Sequence, residues 1–590
     1  MSNKTKLSTG YYIGVITLIL ALLITDSILV ARREGYHMDE ILSYELSNAE
    51  FTPWITPIQP EGRLEKYYRE MIKGNGIRET FSNLFAQAGD VLSRRGDSTA
   101  ANYKADVYDE PVWFSADDFT DYMTYDSEDS VPVLSPYYNS TTDNHPPLYF
   151  ILVNIFSIFA GERFSQWPGS VLNMLFLVGS VLMLLRLFAK VYGKPYLGLA
   201  AAAMYGFSAA GINSVMLIRM YMMVVFWCIT VMCTTLEKLH AAEAGAEESP
   251  FAKQNKLLIW GTALGFLSQY FFCFFALMLA GCTIVRLARI GRKKDILCYL
   301  RSNAFAALAG LLLYPFAFHD LLHTDRGVEA LESMTSGLAG LAGHMGDFAL
   351  LTIRETLGGW IGFGIFALLI AVLIAIRFPE GAVKNIVTPA ACFLGYFLIV
   401  SRVAPYQVDR YMMPAFPMIP VIFVLLVDAL LERTGELIRK PGGESLKIPL
   451  RLEGAVLALG LLLVLPNLCL HFDTQEYSFR GYNAQLQVAE QNAGLDCICI
   501  HPGYGFYRNV PEMMRYRNSL ITKEEELLER VYDQRIVDDT QMILICGNGV
   551  DREKMLEYMG SWYGYTESKV LLQEGIYGDT IIRIAKPEAK

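Results

Sequence analysis

Two neighbouring carboxylates beside a histidine stand early in the sequence, in Glu34-Gly-Tyr-His-Met-Asp39-Glu40, directly after Arg32 and Arg33. A carboxylate partly withdrawn from water has its pKa raised toward neutrality and can take the proton of a hydroxyl, so Asp39 and Glu40 suit a general base and its companion. The plainer alternative is a pair of helix-start acids drawn by the helix dipole. A second element, Asp143-Asn-His145-Pro-Pro-Leu-Tyr149, sets a histidine before two prolines. Proline suits a first helical turn and holds the residue before it extended, so His145 is expected at a helix mouth. Arginine-centred elements follow at Arg219-Met-Tyr221 and at Arg410-Tyr411, the latter with Pro414, Asp409 and Arg402 close by. Another polar cluster comprises His319, Asp320, His323, Asp325 and Arg326. Arginines that converge on one surface bind a phosphate through paired, charge-assisted donors, whereas a lone interfacial arginine usually only anchors its helix.

What must position these residues is a membrane bundle. The chain has 590 residues, 53% of them hydrophobic, gathered into blocks that approach the roughly 20 apolar residues a bilayer-crossing helix needs. The first block, 11–31, follows Lys4 and Lys6 and reads as an uncleaved helix that starts inside. Basic short loops at 186–194, 253–256, 286–294, 377–384 and 433–451 belong inside by the positive-inside rule. That leaves spans near 167–187, 196–212, 218–236, 257–270, 271–285, 304–318, 357–376, 386–400, 412–431 and 454–470. With the first helix this makes about eleven. The apolar piece 147–160 is short for a span and reads as an interfacial or re-entrant helix. In this topology Asp39, His145, Arg219, His319 and Arg410 all fall at the outer surface.

Two segments stand apart from the spans. Residues 32–145 form a long first extracytoplasmic loop with helix-like pieces at 64–73 and 79–88 and an acidic run around 117–129. Residues 471–590 alternate strand-like stretches (497–501, 542–546, 580–584) with helix-like ones (523–532, 552–558), the pattern of a small α/β domain on the same outer side. The fold class is therefore an α-helical polytopic membrane protein, with a transmembrane domain over 1–470 and a C-terminal domain over 471–590.

Other chemistries find little support. The net charge of −10 gives no footprint for nucleic acid. The ten cysteines have no metal spacing and read as buried free thiols; Cys497 and Cys499, two apart in a strand, point the same way and do not bridge each other. No Walker loop occurs, and Cys546-Gly-Asn-Gly549 has too few glycines for a phosphate cradle. The aromatic stretch His501-Pro-Gly-Tyr-Gly-Phe-Tyr507 reads as a strand-exit turn.

Together the motifs resemble the GT-C superfamily of membrane glycosyltransferases, and within it the protein O-mannosyltransferase and aminoarabinose-transferase group. That group carries an acidic residue just after the first helix, matched here by His37-Met-Asp39-Glu40, and a His-Pro-Pro-Leu element closing the first loop, matched by His145-Pro-Pro-Leu148. The arginine motif after the third span is matched by Arg219-Met-Tyr221, and the late arginine–tyrosine–proline element by Arg410-Tyr411 with Pro414. The turn that follows the His-Pro-Pro-Leu element is only partly kept, as Glu162-Arg-Phe-Ser-Gln-Trp-Pro-Gly-Ser170, and a histidine–tyrosine pair of bacterial relatives is replaced by Gln269-Tyr270. The resemblance covers the membrane part, about residues 9–470. It implies a GT-C-like fold and inverting transfer of a sugar from a polyprenyl-phosphate donor to an extracytoplasmic acceptor. It further implies Asp39 as base, with Glu40 and His145 orienting the base or acceptor. Arg219, Tyr221, Arg410 and Tyr411 would hold the donor phosphate. Some relatives bind a divalent metal ion with acidic-loop residues; a histidine and two carboxylates leave that open here. The physical demands agree: a lipid tail needs the bilayer, its phosphate needs cations at headgroup depth, and a good leaving group needs mainly positioning and one base. The rival readings are a polytopic transporter or lipid flippase, which would show charge in mid-span, broken helices and inverted repeats, and a non-catalytic subunit that has kept the fold.

Overall fold

The computed structural model describes residues 8–51, 55, 67–94, 97–102, 113–125, 133–141, 143–252, 255–317, 341–438, 450–471, 476–529 and 533–587. The cluster 319–326 named above lies outside the described residues. The chain divides into two compact units. One comprises Met1–Ala31, Asp143–Tyr149 and Ser170–Gln475; the other comprises Arg32–Thr142, Phe150–Gly169 and Glu476–Lys590.

The first unit is a helical bundle. Among the described residues six helices are long and apolar enough to cross a membrane: α1 (Thr9–Ala31), Trp167–Lys190, Tyr221–Glu243, Phe272–Arg289, Lys293–Leu313 and Ala382–Val403. Two bent pairs, Pro195–Gly206 with Ala209–Met216 and Leu341–Leu357 with Trp360–Ile376, raise the number to eight if each counts as one span. The eleven spans expected from sequence included three more helices of this unit. Lys256–Ser268 has only 13 residues, Met418–Ile438 carries Asp428, Glu432, Arg433 and Glu436, and Leu450–His471 opens on Arg451 and Glu453, contains Pro466 and includes the shorter apolar stretch Val456–Pro466. Among the described residues, length and composition therefore support six to eight spans. Tyr221–Glu243 is buried over most of its length, while α1 is largely exposed on an apolar surface, as expected for a central and a lipid-facing helix.

Both bends have a local cause. The 93° bend falls at Gly358-Gly359, whose φ values of 67° and 100° suit glycine, and a Cβ on Gly358 would lie 2.1 Å from the carbonyl oxygen of Leu463. At the 61° bend Ser208 starts a new helix, its hydroxyl accepting the Gly211 N–H at 3.2 Å, an ordinary N-cap. The helix Leu148–Ser157 has 10 residues, about 15 Å of rise and half a bilayer core.

The second unit is built on a six-stranded sheet in the order β1-β3-β2-β4-β6-β5. Its strands are β1 (Trp113–Ser115), β2 (Asp496–Ile500), β3 (Asn518–Thr522), β4 (Gln541–Cys546), β5 (Glu567–Leu572) and β6 (Thr580–Ala585). The central β3-β2-β4 strands run parallel and the outer ones antiparallel. The parallel centre needs cover on both faces, so β2 reads as a continuous buried run. On one face Met555, Tyr558 and Met559 pack with Ile498, Leu544 and Ile582; the other carries Cys497 and Cys499, both buried and free. The helix behind them, Arg552–Tyr563, starts on an Asp551 cap and ends at Gly564 in the left-handed conformation. β1 comes from the first long loop. That loop and the C-terminal segment thus share one sheet and one unit.

Candidate functional site

In the second unit the acidic element follows α1 as an extended segment and starts the helix α2 (Met38–Asn48). His37 is the N-cap: its Nδ1 accepts the Asp39 N–H at 3.1 Å. Glu40, at the third helical position, accepts the His37 N–H at 2.6 Å, completing a capping box. Glu40 also forms an ion pair with Arg33, and both side chains are essentially buried. Arg33 is held in addition by the carbonyl of Gly35, 2.6 Å from its Nε. The two neighbouring acids therefore differ in kind. Glu40 is enclosed in a structural pair, and Asp39 sits in the first turn with a side chain 19% exposed, 3.6 Å from the His37 ring.

In the first unit His145 Nδ1 lies 2.9 Å from Asp143 Oδ2. Burial raises the Asp143 pKa, but the charge and hydrogen bond of His145, with the Arg219 guanidinium, outweigh it and hold the carboxyl below its usual range. Arg219 is buried in the irregular turn between Ala209–Met216 and Tyr221–Glu243. Asn173, fully buried, shapes that turn: its amide nitrogen donates to the carbonyls of Val215 at 3.1 Å and Leu217 at 2.8 Å. Its oxygen accepts from the Tyr149 hydroxyl at 3.2 Å. One amide thus ties the His-Pro-Pro-Leu-Tyr element to the backbone just before Arg219.

Arg410 and Tyr411 lie on a short 3-10 turn, Asp409–Tyr411, where Asp409 Oδ1 accepts the Arg410 N–H at 2.7 Å. The Arg410 guanidinium is 5.6 Å from the Tyr411 ring centre, and that ring packs on Phe271 at 5.3 Å. Gln269 is buried, and its Oε1 accepts the Phe271 N–H at 2.8 Å, so it shapes this turn. Tyr396 supports this turn from the neighbouring helix: its hydroxyl donates to the Tyr411 carbonyl at 2.8 Å. Among the described residues no group of three or more His, Cys, Asp or Glu is arranged to hold a metal ion.

The structure thus brings the sequence-selected residues into three neighbourhoods: Asp39 with Glu40, His145 with Arg219 about Asp143, and Arg410 with Tyr411; Tyr221 opens the helix that follows Arg219. Sequence reasoning missed Asn173 and Tyr396, and gave Tyr149 no role beyond closing its motif. A lone asparagine inside an apolar helix was the available signal for the first, because a polar group in a span is costly and is kept for a reason.

No protein-family model matches the chain, and no curated protein matches it in sequence. Solved structures do. One is ArnT from Cupriavidus metallidurans bound to undecaprenyl phosphate, with 11% identity over 99% of each chain and a TM-score of 0.47. The same protein in the apo state has 11% identity over 96% of this chain and 97% of that one, TM-score 0.46. The archaeal oligosaccharyltransferase AglB from Archaeoglobus fulgidus, in complex with an inhibitory peptide and a dolichol-phosphate, has 12% identity over 93% of this chain and 71% of that one, TM-score 0.33. At these identities and TM-scores, what the chain does is read from its own residues.

Proposed function

We propose that this chain is an inverting glycosyltransferase that moves a sugar from a polyprenyl-phosphate donor to an acceptor hydroxyl on the extracytoplasmic side. The acceptor class is a protein, a cell-wall polymer or a lipid. Asp39 accepts the hydroxyl proton, the acceptor oxygen attacks the anomeric carbon, and the polyprenyl phosphate departs with the bonding electron pair. Arg219 and Arg410, with Tyr221 and Tyr411, neutralise the departing phosphate through charge-assisted bonds. His145, held by Asp143, orients the reactants, and Glu40 fixes the turn that carries Asp39.

The observation that supports this reading best is the division of labour between the adjacent acids. Glu40 is locked by Arg33 and the cap of α2, whereas Asp39 remains partly open on the same turn. Asp39→Asn tests it. The variant keeps the shape and removes the basicity, so turnover falls by about two to four orders of magnitude. Asparagine is also a good helix-start residue, so folding is unaffected. The readout is the glycan product that disappears on deleting the gene, quantified by mass spectrometry in complemented cells. Full product with Asp39→Asn ends the base assignment.

The transporter reading called for broken helices and charge inside spans, and the two bent pairs and the buried Asp26 of α1 are such features. Proteoliposomes loaded with a lipid-linked sugar separate the two: transfer leaves free polyprenyl phosphate, and transport leaves the donor intact on the other leaflet.

A further inference from the structure

The C-terminal part of the second unit has no role in the chemistry above, yet several of its polar and aromatic contacts converge on one stretch of backbone. That stretch is 33–37, the extended link between α1 and the cap of α2. The Glu34 N–H donates to the Ser478 carbonyl at 2.9 Å, and Glu34 Oε2 accepts the Gly481 N–H at 2.7 Å. The Tyr577 hydroxyl donates to the Tyr36 carbonyl at 2.8 Å. Arg33 stacks over Phe479 at 5.3 Å, and the His37 ring meets Tyr477 edge-on at 6.4 Å. Gly35 passes so close that a Cβ there would fall 2.9 Å from Phe479 Cβ.

Tyr577 is itself held from behind. Its ring lies 5.9 Å from Tyr482 and 5.1 Å from the Arg508 guanidinium. The loop that carries it closes through Gly575 N–H to the Asp579 carbonyl at 2.8 Å. Gln485 Oε1 accepts the Ile576 N–H at 2.9 Å, and Gln485 Nε2 donates to Glu512 Oε1 at 3.0 Å. Asn509 Nδ2 donates to Glu512 and to Asp579, at 3.0 and 3.1 Å. Since that amide nitrogen serves two carboxyls, Asn509 Oδ1 is the acceptor for His501 Nε2–H at 3.0 Å. Gln485, Asn509 and Glu512 are fully buried and Asp579 nearly so. A buried polar network of this kind rigidifies what it touches, and this one ends on the Tyr577 loop.

We propose that Tyr577 and Glu34 are positioning residues, through which the C-terminal domain fixes the first turn of α2 and hence the direction of the Asp39 carboxylate. Burial pushes the Tyr577 hydroxyl above its ordinary pKa, so it stays a donor at any working pH. The role rests on the Asp39 reading and deepens it: a base must meet its proton within hydrogen-bond reach, and an ångström of displacement costs roughly a hundredfold.

The test uses the full chain in detergent and in complemented cells. Tyr577→Phe keeps the ring and removes the hydroxyl. Amide exchange at His37–Glu40 is expected to rise about tenfold or more while β2, β4 and β6 stay protected. Product formation falls roughly ten- to a hundredfold, and the thermal shift given by undecaprenyl phosphate is unchanged. In an Asp39→Asn background Tyr577→Phe adds no further loss. Glu34→Ala gives the same local loosening, and Glu34→Gln, which keeps an acceptor for Gly481, restores protection. Full product from Tyr577→Phe while Asp39→Asn is inactive overturns the positioning role and leaves the base reading intact. Full product from Asp39→Asn overturns both. If Tyr577→Phe fails to fold, the Glu34 pair decides: equal loosening in Glu34→Ala and Glu34→Gln overturns the inference, and rescue by glutamine supports it.

Discussion

The buried pair Arg33–Glu40 sets up the sharpest test of how the acidic element is built. Both side chains are shielded, 1% and 0% exposed. Removing one partner of such a pair leaves a buried charge and costs about 3–5 kcal/mol. Glu40→Gln can keep the capping bond to His37, so its loss is nearly all this charge term. Arg33→Met, which strands the carboxylate, loses a similar amount. The double variant Arg33→Met with Glu40→Leu leaves no charge from the pair. It gives up the bonds to His37 N–H and the Gly35 carbonyl, about 1 kcal/mol each, and regains apolar packing. It is therefore expected about 2 kcal/mol below the parent protein and clearly above either single variant. Thermal unfolding of the four proteins in detergent gives the order, and the gene-dependent glycan gives the activity. Stability should return further than product in the double variant, because Glu40→Leu also gives up the cap bond to the His37 N–H that fixes the turn of Asp39. If the double variant is no more stable than the singles, the pair is not what holds this turn. If Glu40→Gln is as stable as the parent protein but makes no product, Glu40 acts on the reactants and the division between the two acids is refuted.

Other consequences follow from the same geometry. Asn173→Leu removes the three bonds that join Tyr149 to the carbonyls of Val215 and Leu217, each worth about 0.6–1.7 kcal/mol within a membrane, and should loosen the turn before Arg219; Tyr149→Phe should cost only one bond, and thermal unfolding checks both. Arg410→Ala should weaken undecaprenyl phosphate binding by about 1.5–3 kcal/mol, read by titration, while Asp39→Asn leaves that affinity unchanged. Burial raises the Glu512 carboxyl to about 8, above its unfolded value; its contribution to stability is full below about pH 4.3 and is lost as pH rises through about 8. Glu512→Gln should therefore flatten the fall in Tm over that window. Asp143 has the opposite sign, since its carboxyl is lowered: the stability it adds is present above about pH 4 and is lost as pH falls below that, a loss that Asp143→Asn abolishes.

Much of the local structure was legible because local rules suffice for it. His37 with Glu40 three residues on is a capping pattern, and α2 starts there. The strand-like stretches at 497–501, 542–546 and 580–584 are the strands β2, β4 and β6 to within a residue, because buried runs of β-formers leave no alternative. Counting spans was harder. Lys256–Ser268 is shorter than a bilayer and two pairs are bent at glycine or serine breaks, and hydropathy windows do not register a bend. Cys273 and Cys469, read as buried, are exposed on apolar helices, a distinction of helix face that a strongly apolar segment conceals.

By itself the sequence determined the class of molecule and the inventory of its chemistry: apolar blocks that must be helices, most of the acids and histidines between them, and arginines at their ends. Those outcomes depend on residue type and short-range spacing, which solvent and backbone geometry read directly. Only the tertiary structure decided that Arg33 and Glu40 form a buried pair, because they look no different in sequence from Arg32 and Asp39. Only it decided that β1, from the first loop, pairs with β3 some four hundred residues later, and that Tyr577 reaches the Tyr36 carbonyl. Strand pairing and side-chain contact across such separations depend on the packing of the whole unit, and no local pattern encodes them.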